Sequence, residues 1–264
     1  MSIRLSGLYR YPVKSLRGES LDTMTIGPRG PEYDRHWMLV NEAGRFLTQR
    51  EFPRMALVRP EIRETGLRLQ APGMFELDVP ADSEQEMSVQ LWRDSCTARV
   101  MNPAADQWLS DFLGVSCRLV YLPEEQVRQV DQQYAAAEDQ VGFADGFPFL
   151  LISQASLDDL NQRMGRTLPM ERFRPNLVVE GCEAYAEDTW KRIRIGDIEF
   201  RVVKPCSRCV IPTVNPQTGE REGNEPLKTL MSYRKEGNNV YFGQNLIHDA
   251  QGELQTGAAV EILE

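Results

Sequence analysis

"RIRIGDIEFRVVKPCSRCVIPTV", from Arg192 to Val214, holds the clearest strand pattern in the chain and its closest pair of cysteines. Ile193 and Ile195 alternate with arginines up to Gly196-Asp197, and Ile198, Phe200 and Val202 alternate out again. Alternation on both sides of a two-residue Gly-Asp turn predicts a β-hairpin with one buried face. The second strand leads onto a loop carrying Cys206 and Cys209, with Pro205 before the pair and Pro212 after it.

Working outward, similar short runs recur. "SIRLSGLYRY", "LDTMTIG", "RHWMLVN", "GLRLQA", "FELDV", "MSVQLW", "CTARVM" and "CRLVYL" alternate or are rich in branched and aromatic residues, and Gly, Pro, Asn and Asp separate them. "FPFLLIS", "NLVVEG" and "AAVEIL" add strands nearer the hairpin. This spacing predicts barrels or meanders rather than repeated strand–helix–strand units. Three helices are expected. "PAADQWLSDFLG" starts at Pro103, carries Trp108, Leu109, Phe112 and Leu113 as a stripe, and ends at Gly114. "SQASLDDLNQRM" is capped by Ser153. "EPLKTLMSYRK" is a short third. The fold class is therefore mainly β with some helices (α+β). The segment "EEQVRQVDQQYAAAEDQ" is polar and unpatterned, an exposed excursion or a link. It divides the chain into a β-rich region at 1–122 and a second domain at 123–264, with the N-terminal strand a candidate to pack with the second.

The chain has 264 residues and a net charge of −9. That charge argues against a general nucleic-acid or anionic-membrane binder, so any anionic ligand needs a local basic cluster. The N-terminus "MSIRLSGLYRYPVKS" has neither the apolar run nor the small-residue cleavage site of a signal peptide, and no run reaches a membrane span. A cytoplasmic location is expected. Five cysteines, three of them (Cys96, Cys117, Cys182) far apart, make a poor disulfide framework and read as buried small hydrophobes. No glycine-rich nucleotide fingerprint is present.

Residue chemistry alone leaves three readings of the pair. A structural zinc site needs four ligands, usually two close pairs, and here one pair stands with scattered cysteines and the single residues His36 and His248. A thiol–disulfide couple wants a helix N-terminus behind it, and "VIPTV" is a poor helix start. The third reading is one protein thiolate on a metal whose other ligands come from a cofactor. Lys204 and Arg208 beside the pair would favour that thiolate.

"YPVKSLRG", "DRHWMLV", "FADGFPFLLIS", "FRPNLVVEG", "IRIGD", "CSRCVIPTV" and "EPLKTL" occur in this order along essentially the whole chain. Together they resemble the MOSC family (molybdenum cofactor sulfurase C-terminal domain) preceded by its N-terminal β-barrel region. The resemblance is nearest to the branch holding the bacterial reductases of N-hydroxylated compounds and the mitochondrial amidoxime-reducing components. It implies a MOSC-type β-barrel packed with an N-terminal β-rich domain. It also implies the molybdenum cofactor (Mo-molybdopterin), with no requirement for pyridoxal phosphate.

The same resemblance implies roles for residues. The family's metal ligand is the second cysteine of the pair and falls on Cys209, the catalytic position; Cys206 falls on the first, which is not the ligand. Lys14 and Ser15, Arg35, Asp145, and Arg174 and Asn176 match family positions around the cofactor. Arginine and lysine there suit its phosphate, and the Asp145 carboxylate suits the pterin amines. His36 is structural in this reading, and Gln244 and Asn245 are supporting groups behind the site. The implied activity is molybdenum-dependent reduction of N-hydroxylated small molecules to the amine and water, a detoxification role, with electrons from a separate iron–sulfur or flavin protein. The alternative from another class is a cofactor carrier or a persulfide-handling protein without turnover. The longer bacterial members continue into a ferredoxin-like domain, and this sequence ends at "VEILE".

Overall fold

The computed structural model describes residues 2–81 and 83–264. It is mainly β with three α-helices. The hairpin strands Arg192–Ile195 and Ile198–Ser207 lie in one large sheet. Its path runs Glu19–Leu21, Arg4–Arg10, Leu177–Glu180, Phe149–Ser153, Asn239–His248, Ile198–Ser207, Arg192–Ile195, Val260–Ile262. The two sides of this path meet. Leu5 N donates to Ala258 O at 2.9 Å, Gly257 N to Leu5 O at 2.7 Å and Val260 N to Ile3 O at 3.0 Å. The sheet thereby curls into a barrel and leaves few free edges. Inward residues such as Leu5, Phe149, Leu177, Ile193, Phe200 and Leu246 fill it. Each such side chain contributes roughly 1.5–3 kcal/mol by burial.

Phe149–Ser153 and Leu177–Glu180 are parallel, so the chain must cross between them. The crossing element is the helix Gln154–Met164. The Ser153 hydroxyl accepts from Ser156 N at its start, and Gly165 closes it at φ 63°, a backbone setting that glycine adopts without a Cβ clash.

The region around residues 37–122 builds a second core. Its four-stranded sheet runs Trp37–Val40, Arg118–Tyr121, Asp94–Val100, Glu86–Leu91, and a meander joins Arg59–Arg63, Gly66–Gln70 and Leu77–Pro80. The helix Pro103–Leu113 covers this core, with Asn102 as N-cap and Trp108, Leu109 and Phe112 buried. The strand Arg4–Arg10 belongs to the barrel sheet, and Thr23–Gly27 pairs with Gly252–Gln255 near the other end of the chain.

The polar segment after Tyr121 has no helix or strand, yet it is packed. Val130 and Val141 are buried against Ile247, and Gln129 bridges Gln140. Arg128 donates to the carbonyls of Gly142 and Ala144, both at 2.7 Å, and Asp139 pairs with Arg201 at 2.8 Å. Buried valines at wide spacing and a buried arginine serving backbone carbonyls leave no period to read in the sequence. The segment delivers residues 143–147 to the site.

Candidate functional site

The strand after the hairpin turn runs further than expected. It continues through Cys206 to Ser207, so Cys209 alone of the pair stands on the loop. The register with Asn239–His248 slips between Val202 and Lys204 and again between Pro205 and Ser207. Bulges of this kind re-aim side chains. A short 3-10 turn, Ile211–Thr213, follows with Pro212 inside it, and no α-helix begins there.

Cys209 faces a cavity walled by both cores. Lys14, Ser15, Arg35, Asp145, Arg174, Asn176 and Cys209 all line it. Phe147, Phe149, Phe173, Ile211 and Pro212 supply apolar wall. Three of the polar residues hold left-handed backbone without being glycine: Ser15 at φ 65°, Arg35 at 51° and Arg174 at 57°. Such a conformation costs on the order of 1–3 kcal/mol and persists only where surroundings impose it. For Arg35 the imposition is visible. Its N–H donates to Tyr11 O at 2.8 Å, and its carbonyl accepts from Phe143 N at 2.6 Å. A Cβ on Gly142 would come within 2.9 Å of the Asp34 and Arg35 carbonyl oxygens, so the loop's close approach requires glycine.

The site's charge is cationic and largely desolvated. The Lys14 ammonium is buried, donates to Phe143 O at 2.8 Å and pairs with Asp145. Burial pushes its pKa down to about 8, against the pull of Asp145. Partial burial opposes the charge of Asp145, but Lys14 and Arg50 outweigh it and hold the carboxyl well below the usual carboxylate range. Asp145 also accepts from Arg50 at 3.1 Å and Trp92 at 3.2 Å. Arg174 donates to Leu16 O at 2.6 Å, while its Nη2 is buried without a hydrogen-bond partner. Burial first, then Arg35, pushes the Arg174 pKa down to about 10. Arg35 is held by Asp34 and by Asn176 Oδ1 at 3.2 Å. Asn176 also donates to Tyr9 O at 3.2 Å and bonds Leu150 through its backbone, so it fastens the first strand as well as facing the cavity.

The two cysteines have different surroundings. Cys206 accepts from Arg208 Nη1 at 3.1 Å, and Arg208 is anchored by Phe173 O at 2.6 Å. Cys209 is opposed by Arg50. Burial works against the Arg50 charge, but Asp145 and the Cys209 thiol outweigh it and its pKa is raised. Cys96, Cys117 and Cys182 are free thiols elsewhere. Among the described residues no three His, Cys, Asp or Glu side chains gather around a common point, so the four-ligand zinc reading has no built site.

Several residues of this site have no signal in the sequence. Arg50 and Thr48 line the cavity, and Trp92 bonds Asp145; Arg208, which the sequence marks only as a neighbour of the thiols, lines it too. Arg50 and Trp92 sit in unremarkable surface-like stretches, and only the packing of the two cores brings Arg50 to Cys209 and Trp92 to Arg50 and Asp145. Asn245 lines the cavity and donates to Lys204 O, but its neighbour Gln244 points away and donates to Asp188 at 2.6 Å. Alternation along a strand sends consecutive side chains to opposite faces. His36 lies outside the cavity; burial pushes its pKa down to about 4.

Residues 2–116 match the MOSC N-terminal beta barrel domain, and residues 138–261 match the MOSC domain. The chain therefore belongs to the MOSC family. Among curated relatives it is 36% identical to "Mitochondrial amidoxime-reducing component 1" of Mus musculus, over 97% of this chain and 81% of that one. It is 34% identical to the Homo sapiens protein of the same name, over 97% and 82%. It is 37% identical to "Mitochondrial amidoxime reducing component 2" of Rattus norvegicus, over 87% and 72%. Among the described residues no helix is long and apolar enough to cross a membrane.

Proposed function

We propose that this chain is a molybdenum-cofactor-dependent reductase that converts N-hydroxylated compounds to the N–H product and water, with Cys209 as the one protein ligand of the metal. One observation carries the reading: a single cavity joins the Cys209 thiol to three desolvated cations, Lys14, Arg35 and Arg174. The names of the relatives support the substrate class.

The residues present fit the cofactor. A thiolate suits a redox-active transition metal. Arg174 Nη2, buried and without a partner, suits a phosphate oxygen. Lys14 and Arg35 add charge at the same wall. Asp145 Oδ1 already serves Lys14 and Trp92, whereas Oδ2 serves Arg50 alone and keeps a lone pair for a pterin N–H. When bound, the cofactor supplies the two-electron chemistry that breaks the N–O bond. The protein's part is to hold and orient. Asn176 braces the cationic wall through Arg35, Ser15 offers its hydroxyl to the cofactor at the same cavity, the phenylalanines and Pro212 exclude water, and Arg50 presents N–H groups beside Cys209.

Electrons come, in this reading, from a separate iron–sulfur or flavin protein, and the two domains divide near residue 122. A cytoplasmic location belongs to this proposal, and cell fractionation checks it against the mitochondrial naming of the relatives. The central experiment is metal analysis of the purified chain together with turnover of benzamidoxime and hydroxylamine by reduced viologen. Molybdenum near one per chain with turnover is expected. Molybdenum without turnover would favour a cofactor carrier, and absence of both would end the reading.

A further inference from the structure

Trp92 occupies a costly position. It is the first of two residues, Trp92-Arg93, linking the strands Glu86–Leu91 and Asp94–Val100, whose ends pair Leu91 with Asp94. Its φ is 56°, a setting that ordinarily calls for glycine at this place in a hairpin. The side chain is also 46% exposed, so core burial does not compensate the strain.

What holds the ring is the site. The Arg50 guanidinium carbon lies 4.6 Å from its centroid, and its Nε1–H donates to Asp145 Oδ1 at 3.2 Å. Phe46 meets it edge-on at 4.9 Å. Arg50 and Asp145 both line the Cys209 cavity. A large aromatic is therefore clamped against two residues of the cavity wall, oriented by two polar contacts, and still open to solvent. On the Cys209 side, Val210 is another apolar side chain left 37% exposed. Aromatic rings bind flat π systems by offset stacking, and a rigid ring does so at low entropic cost.

We propose that Trp92 is a specificity-determining residue: its ring stacks on the planar π system that carries the N–OH group, so aryl amidoximes and N-hydroxylated heterocyclic bases bind ahead of small aliphatic hydroxylamines. The proposal rests on the reductase reading above and assigns its substrate selectivity to a residue of the N-terminal region. Arg50 is the positioning residue for the ring.

The test compares steady-state kinetics of the molybdenum-loaded enzyme, with reduced viologen as donor, on benzamidoxime and on hydroxylamine. Trp92→Ala is expected to raise KM for benzamidoxime about 2- to 10-fold more than it raises KM for hydroxylamine. The molybdenum content should match wild type, and Trp92→Phe should recover most of the difference. Equal KM changes for both substrates, or a Phe variant no better than Ala, would overturn the stacking role. A wild-type enzyme that reduces neither substrate would overturn the reductase reading and this proposal with it.

Discussion

The Arg174 guanidinium carbon lies 4.2 Å from the centroid of the Tyr11 ring. Arg35 approaches that same ring at 4.3 Å. Two like charges thus approach one ring beside a cavity; Asp34 pairs with Arg35, while Arg174 Nη2 is buried without a hydrogen-bond partner. An arrangement of this kind stores affinity for an anion.

Removal of Arg174 should therefore weaken cofactor retention. We expect Arg174→Ala to lower cofactor affinity at least ~10-fold, equivalent to ~1.4 kcal/mol. Arg201→Ala is the control. It removes pairs to Asp139 at 2.8 Å and Asp249 at 2.6 Å, and none of these three residues lines the cavity. Molybdenum and pterin content per chain after gel filtration decides; equal occupancy would count against the phosphate role.

The two thiols should separate cleanly. Cys209→Ser is expected to lose most bound molybdenum and nearly all turnover. Cys206→Ser should keep the metal, because its sulfur is occupied with the Arg208 guanidinium at 3.1 Å. Metal analysis of both variants, with circular dichroism as a folding check, reads the result. Equal losses would show that the ligand has been misassigned.

Lys14 makes stability depend on pH in a definite direction. Its pKa is about 8 in the folded chain against an ordinary 10.5. Between those values the unfolded chain binds more protons, so stability rises with pH from about 8 to 10.5, and the gain is lost as pH falls through 8. Denaturant unfolding of the cofactor-free chain across this window should show a positive slope that Lys14→Met flattens. If the two slopes coincide, Lys14 is not the titrating group.

Electron supply gives a further expectation. The sequence has no glycine-rich nucleotide fingerprint, so the loaded chain should not consume NADPH with substrate present. Reduced viologen should support turnover. Robust substrate-dependent NADPH consumption by the chain alone would reveal a nucleotide or flavin site.

The helices show how much was legible locally. Pro103, Gly114 and Ser153 are start and stop signals that act within one turn, and the structure uses each of them. The hairpin at Gly196-Asp197 was legible for the same reason, since Ile193, Ile195, Ile198 and Phe200 are all buried on one face. The end of its second strand was not. Cys206 stays in the sheet because Asn239–His248 keeps pairing across two bulges, and a bulge has no fixed sequence mark.

By itself the sequence determined the β-rich character, the three helices, the family, and the kinds of side chain available for a cationic, thiol-bearing site. These follow from period-two alternation, caps and motif order, all properties of neighbouring residues. Only the tertiary structure decided that Arg50 stands beside Cys209 with Trp92 against Arg50 and Asp145, that Gln244 turns away while Asn245 faces the cavity, and that the polar segment after Tyr121 is pinned by Arg128 and Asp139. Those outcomes depend on strand register and on contact between two cores, where the gain from burying distant residues together outweighs any local preference.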